Sequence, residues 1–158
     1  ATVPMMDVER NFGLASYPRF SAMGVIRGRL RRTEAGRAVE ELAVKPRSIG
    51  AAIRSLSGGN QQKVIIARWL ASGARIFLFD EPTRGIDVGA KSEIHALIRR
   101  LAAQGASVLV VSSELPELLM LSDRIAVMHE GRMTGILDNG PGLTEERLLH
   151  YASGEMTP

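Results

Sequence analysis

The stretch Ile76-Phe77-Leu78-Phe79-Asp80-Glu81-Pro82 decides the fold. Four apolar residues run without a break into two carboxylates and a proline. Such a run predicts a strand buried on both faces, as in a parallel sheet covered on each side. Upstream, Val64, Ile65, Ala67, Arg68, Leu70 and Ala71 predict a helix with a broad apolar face, closed by Gly73. Downstream, Ala90, Ile94, Leu97, Ile98 and Leu101 form a helical stripe that stops at Gly105. Val108 to Val111 reads as a second buried strand, Leu115 to Leu121 as a short helix, and Ile125 to Met128 as a third strand. Glu130-Gly131 is a hairpin-type turn into a fourth strand from Met133 to Leu137. Thr144 caps a last helix through Tyr151. Strands alternating with helices give an α/β fold with a mainly parallel sheet flanked by helices.

The first 54 residues are harder to read. Pro4, Gly13 and Pro18 break up the start. Ala35, Ala38, Val39 and Leu42 predict a helix from about Thr33 to Val44, ended by Pro46. Ile49 to Leu56 gives no clear element. The 158 residues are enough for one domain, or one domain with a small lobe. Hydrophobic residues at 45% and charged residues at 23% exclude wholesale disorder and collagen. No run of 18 apolar residues predicts a membrane span, and no basic-then-apolar start predicts export. With no cysteine, disulfides and thiolate chemistry are excluded, which fits a reducing compartment.

Charge is uneven. Residues 1–54 carry ten Lys/Arg against five Asp/Glu, and residues 55–158 carry ten against twelve. The excess gathers in Arg27, Arg29, Arg31, Arg32 and Arg37. A solvated helix face, an anionic membrane surface and nucleic acid are the three readings of such a cluster. No aromatics interleave the arginines as a base-stacking surface requires, which disfavours nucleic acid. His95, His129 and His150 read as surface or turn residues, because none has a partner at metal-ligand spacing.

Two strings carry chemistry. In Leu56-Ser57-Gly58-Gly59-Asn60-Gln61-Gln62-Lys63, two glycines let a ligand approach the backbone. The helix behind them offers free N–H groups and a positive dipole end to an anion. Ser57 adds a hydroxyl. In the second string, Asp80 and Glu81 lie at the carboxyl end of a strand, the edge where open α/β sheets bind ligands. A carboxylate there suits Mg²⁺, which prefers oxygen ligands, and its neighbour can deprotonate an attacking water.

Leu56–Lys63 resembles the signature motif of ATP-binding cassette (ABC) proteins, and Ile76–Glu81 resembles their Walker B strand. Arg84-Gly85-Ile86-Asp87 is similar to the D-loop that follows. The runs Thr83–Lys91, Ser112–Glu117, Asp123–Ile125 and Val127–Gly131 narrow the resemblance to the second cassette of the ATPase subunit of ribose-type monosaccharide importers. The likeness covers about residues 34–153, and Asp7–Leu14 occupies the place of a short helix. It implies a partial P-loop NTPase cassette. Residues 1–72 would be a portion of the helical subdomain ending in the signature helix, and 73–158 the C-terminal half of the α/β core. By the same resemblance, Ser57, Gly58, Gly59 and Gln61 would meet the γ-phosphate of ATP held by another cassette. Asp80 would serve Mg²⁺ through water, Glu81 would be the general base, and Asp87 would couple the two sites. The implied partners are a membrane permease, a second cassette and, indirectly, a periplasmic sugar-binding protein, with the chain peripheral on the inner face of a bacterial membrane. The arginine-rich segment would then lie near that membrane.

Two departures qualify the resemblance. No G-x-x-x-x-G-K-[ST] string occurs, so the backbone cradle and lysine for phosphates are not encoded here. The expectation is a C-terminal part of a longer polypeptide, inactive alone, with uncovered strand edges that favour self-association. Second, Ser113 stands where most cassettes carry a switch histidine, as is common in the second cassette of sugar importers. Two alternatives stay open: a non-catalytic module that lends its signature motif to an intact cassette, and an ABC-type ATPase of DNA repair. The latter usually carries long coiled coils, and no sustained heptads are visible.

Overall fold

The computed structural model describes residues 1–155, so the last three positions of the expected 73–158 segment lie outside the described residues. In chain order the elements are α1 (Val8–Gly13), β1 (Ser21–Ala22), β2 (Val25–Ile26), α2 (Gly28–Glu41), a 3-10 turn (Ile53–Ser55), α3 (Gly58–Ala71), β3 (Ile76–Asp80), α4 (Val88–Ala103), β4 (Ser107–Val111), α5 (Leu115–Leu121), β5 (Arg124–His129), β6 (Arg132–Asp138) and α6 (Glu145–Ala152). They fall into two compact units. One comprises Ala1–Phe77 and Thr83–Ser107; the other comprises Leu78–Pro82 and the described residues from Val108 onward.

The first unit is helical. α1 and α2 pack on α3, and α3 packs on α4. Val8, Phe12, Val39, Ile53, Val64, Ile66 and Ile94 are buried in its core. A buried polar joint crosses that core. Arg68 donates through Nε to the Asn11 carbonyl at 2.6 Å and through Nη2 to Asn11 Oδ1 at 3.1 Å. Its Nη1 reaches the Ala1 carbonyl at 2.9 Å. Burial pushes the guanidinium down from its usual range, and these three acceptors offset that desolvation.

α2 begins five residues earlier than the apolar spacing predicts. Arg31 and Arg32 both pair with the buried Glu9 of α1, at 3.1 and 3.2 Å. Those ion pairs hold the polar first turn helical, and no apolar stripe records them. They also withdraw Arg31 from solvent, while Arg32 stays largely exposed. At its other end α2 stops before Pro46. Ala43 takes a left-handed φ of 48°, and Val44 N–H donates back to the Val39 carbonyl at 2.9 Å. His95 is buried on α4, not a surface residue, because it falls between Ile94 and Leu97 on the packed face of that helix.

β3 and β4 form a two-stranded sheet. Ser107 N–H donates to the Arg75 carbonyl at 2.9 Å, and Glu81 N–H donates to the Val111 carbonyl at 2.8 Å. The bonds join start to start and end to end, so the pair is parallel. The expectation that β3 is buried on both faces fails. Phe77 and Phe79 are buried, but Ile76 and Leu78 are 68% and 73% exposed. Among the described residues no layer covers that second face, so a continuous apolar run behaves as a half-buried strand.

The second unit is built on the antiparallel hairpin β5–β6. Its turn is Glu130-Gly131, both at positive φ, as a tight hairpin requires. α6 lies on this hairpin, with the Tyr151 ring so close to Gly135 that a Cβ there would sit 2.7 Å from it. Thr144 caps α6 as the sequence predicts, accepting from Arg147 N–H at 3.3 Å. Asn139 closes the other end, donating to the carbonyls of Leu119 and Ser122 at 2.7 Å each.

Candidate functional site

Four of the expected phosphate-contacting residues come together at the start of α3. Ser57 is its N-cap residue, with extended backbone angles, yet its side chain makes no capping bond. Ser57 and Gly58 are exposed, Gly59 is buried and Gln61 is half-buried. The first intrahelical bond runs from Gln61 N–H to the Ser57 carbonyl at 2.9 Å. The amides of Gly58, Gly59 and Asn60 precede it and have no place in the intrahelical ladder. These N–H groups, the helix dipole and a Ser57 hydroxyl that accepts from Asn60 but caps nothing make a donor-rich helix start suited to an anion.

The glycines have separate reasons. A Cβ on Gly59 would sit 2.5 Å from Ala90 Cβ and 3.4 Å from Ile86 Cγ2, so only glycine lets α3 start against the first turn of α4. A Cβ on Gly58 would meet nothing nearer than the Gly85 carbonyl at 3.8 Å, and the position stays open to solvent. Gln61 turns back, donating through Nε2 to the Leu56 carbonyl at 3.0 Å. That bond leaves its Oε1 as the free end. Asp87 lies at the N-cap of α4, where its carboxylate accepts from Ala90 N–H at 2.9 Å.

Sequence reading passes over two residues here. Lys63 is almost completely buried. Its ammonium bonds to Glu93 of α4 at 2.6 Å and to the Ala43 carbonyl at 3.2 Å. Asn60 bridges the Lys45 backbone to the Ser57 hydroxyl. A serine at the N-cap with an amide side chain three residues on is the spacing of a capping box, and that signal could have flagged Asn60.

The second unit holds the carboxylates. Asp80 ends β3 and is exposed. Glu81 follows it with φ of 47°, a left-handed conformation that a non-glycine residue adopts only when its surroundings hold it. Two bonds hold it. Its N–H is tied to Val111 at 2.8 Å, and its carboxylate Oε1 accepts from Ser113 N–H at 2.9 Å. The expected general base and the switch position are therefore joined directly, through the Ser113 backbone. Among the described residues no cluster of three His, Cys, Asp or Glu groups could cage a metal. Asp80 beside Glu81 still fits Mg²⁺, which binds through one or two carboxylates plus phosphates and keeps several waters.

The sequence profile described as "ABC transporter" matches residues 2–84, just over half of the chain. The chain belongs to the ABC transporter family. A Burkholderia cenocepacia protein with the provisional name of a ribose/galactose/methyl galactoside import ATP-binding protein is 58% identical over 76% of this ABC transporter chain and 23% of its own length. The xylose import ATP-binding protein XylG of Thermoanaerobacter pseudethanolicus is 44% identical over 96% of the chain and 30% of its own length. The chain thus spans less than a third of these relatives. Among solved structures, it is similar to a dimeric ATP-binding cassette in a post-hydrolysis state bound to ADP and Pi. That match has a TM-score of 0.71 and 27% identity, over 88% of this chain and 59% of the cassette. A metal-chelate type ABC transporter in an inward-facing conformation matches the fold with a TM-score of 0.80 at 17% identity, over 98% of this chain and 61% of the neighbour. The expected partial P-loop cassette is therefore the fold of this ABC transporter chain.

Proposed function

We propose that the chain is the C-terminal part of the second cassette of an ATP-hydrolysing subunit that drives sugar import. The supporting observation is the start of α3, where Ser57 leaves its helix uncapped and its first-turn amides free of the intrahelical ladder. In this reading Ser57, Gly58, Gly59 and Gln61 bind the γ-phosphate of ATP held by another cassette. Asp80 would hold Mg²⁺ through water, and the ion would neutralise charge on the phosphate oxygens. Glu81 takes a proton from the attacking water, steadied by the Ser113 amide, and Asp87 couples the paired sites. Residues 1–72 serve as the helical portion that docks a permease, and 73–158 as the C-terminal half of the core. The further partners are a periplasmic sugar-binding protein, reached indirectly, and a second copy of the chain. The protein works peripherally on the cytoplasmic face of the membrane. No helix among the described residues is long and apolar enough to cross one.

The sugar-import names of the relatives support the substrate class. Nothing comparable supports the DNA-repair reading. Neither of those relatives has a repair name, and the longest described helix has 16 residues, short for a coiled-coil arm. Without a phosphate-loop string the chain acts on nucleotide held elsewhere. The test adds purified chain to the Burkholderia cenocepacia relative and measures ATP hydrolysis. The expected result is a saturable change of at least twofold, with background turnover by the chain alone. An unchanged rate at saturating chain would contradict the reading.

A further inference from the structure

We infer that Asn60 is a positioning residue that keeps the Ser57 hydroxyl available as a donor to phosphate. The inference rests on the proposed phosphate-binding role of the α3 start. Asn60 Oδ1 accepts from Lys45 N–H at 2.7 Å, and Asn60 Nδ2 donates to Ser57 Oγ at 2.8 Å. A backbone N–H can only donate, so the amide oxygen must face Lys45, and this settles which way the Asn60 side chain points. The NH₂ end must then face Ser57, and Oγ receives a hydrogen bond on one lone pair. A serine hydroxyl has one proton to give. Since Oγ is an acceptor from Asn60 and caps nothing in α3, that proton stays free to point outward to an anionic oxygen. Had the amide been reversed, the hydroxyl would donate to Asn60 and turn lone pairs toward the phosphate. Asn60 also ties Ser57 to the segment after α2, so the hydroxyl direction depends on where that segment lies.

The test uses the full chain and inorganic tripolyphosphate, with nitrogen-labelled NMR as the readout. Ser57→Ala is expected to shift the Asn60 side-chain NH₂ resonances while Lys45 N–H stays protected from exchange. Tripolyphosphate is expected to shift the Gly58 and Gly59 amides. Asn60→Asp keeps an acceptor for Lys45 but draws the Ser57 proton inward, so it is expected to weaken that binding at least fivefold with the melting temperature unchanged. Asn60→Ala is expected to cost about threefold with Ser57 present and nothing further in the Ser57→Ala background. A merely structural Asn60 would cost the same in both backgrounds. NH₂ resonances that ignore Ser57→Ala, wild-type affinity in Asn60→Asp, or glycine amides that ignore tripolyphosphate would each overturn the inference. Intact anion binding combined with no effect on the relative's ATPase would contradict only the proposed function.

Discussion

α3 and α4 begin side by side and begin differently. At α4, Asp87 turns its carboxylate onto Ala90 N–H and satisfies its own helix. At α3, Ser57 occupies the same N-cap place, but its hydroxyl is held by Asn60 and caps nothing. One start is closed by its own side chain, and the other leaves its donors for something else. The α4 start is what a helix needs for stability. The α3 start forgoes that stabilisation, as expected where a helix N-terminus is kept for an anion.

Making the two starts alike should have the largest effect. Ser57→Asp would give α3 a carboxylate cap and place a negative charge at the proposed phosphate position. Tripolyphosphate binding read at the Gly58 and Gly59 amides should fall at least tenfold, by about 2 kcal/mol for like charges near a protein surface. The melting temperature should hold or rise. Forcing the starts apart comes next. Gly59→Ala would drive a methyl to 2.5 Å from Ala90 Cβ. The overpacking cost of roughly 1–3 kcal/mol exceeds the helix-propensity gain of at most about 1 kcal/mol. Urea unfolding should show a net loss of about 1 kcal/mol.

Opening the closed start should cost no more than that. Asp87→Ala removes a cap bond and should destabilise by about 1 kcal/mol in the same unfolding measurement. The smallest effect belongs to Ser57→Ala. Because the hydroxyl caps nothing, stability should change by less than about 0.5 kcal/mol, well under the Asp87→Ala loss. A Ser57→Ala loss as large as that of Asp87→Ala would remove the distinction between the two starts.

Legibility in the sequence tracked how local the physics was. The start of α3, the glycine stops at Gly73 and Gly105, and the Glu130-Gly131 turn each depend on a few adjacent residues, and each was readable. β3 was readable as a strand but not in its burial, since its second face depends on what covers it. The early start of α2 was hidden because Glu9, more than 20 residues away, holds Arg31 and Arg32. The Arg68–Asn11 joint spans 57 residues and left no periodic trace. At the candidate site the Ser57–Gln61 string stood out, whereas the Asn60 bridge to Lys45 and the Glu81 bond to Ser113 had to be seen in three dimensions.

The central claim is that this chain offers donors to a nucleotide cradled elsewhere. Calorimetric titration of Mg-ATP into the purified chain tests it most directly. The account predicts no binding heat at micromolar concentrations. Clear micromolar binding would contradict it, because other residues of this chain would then have to cradle the phosphates unaided.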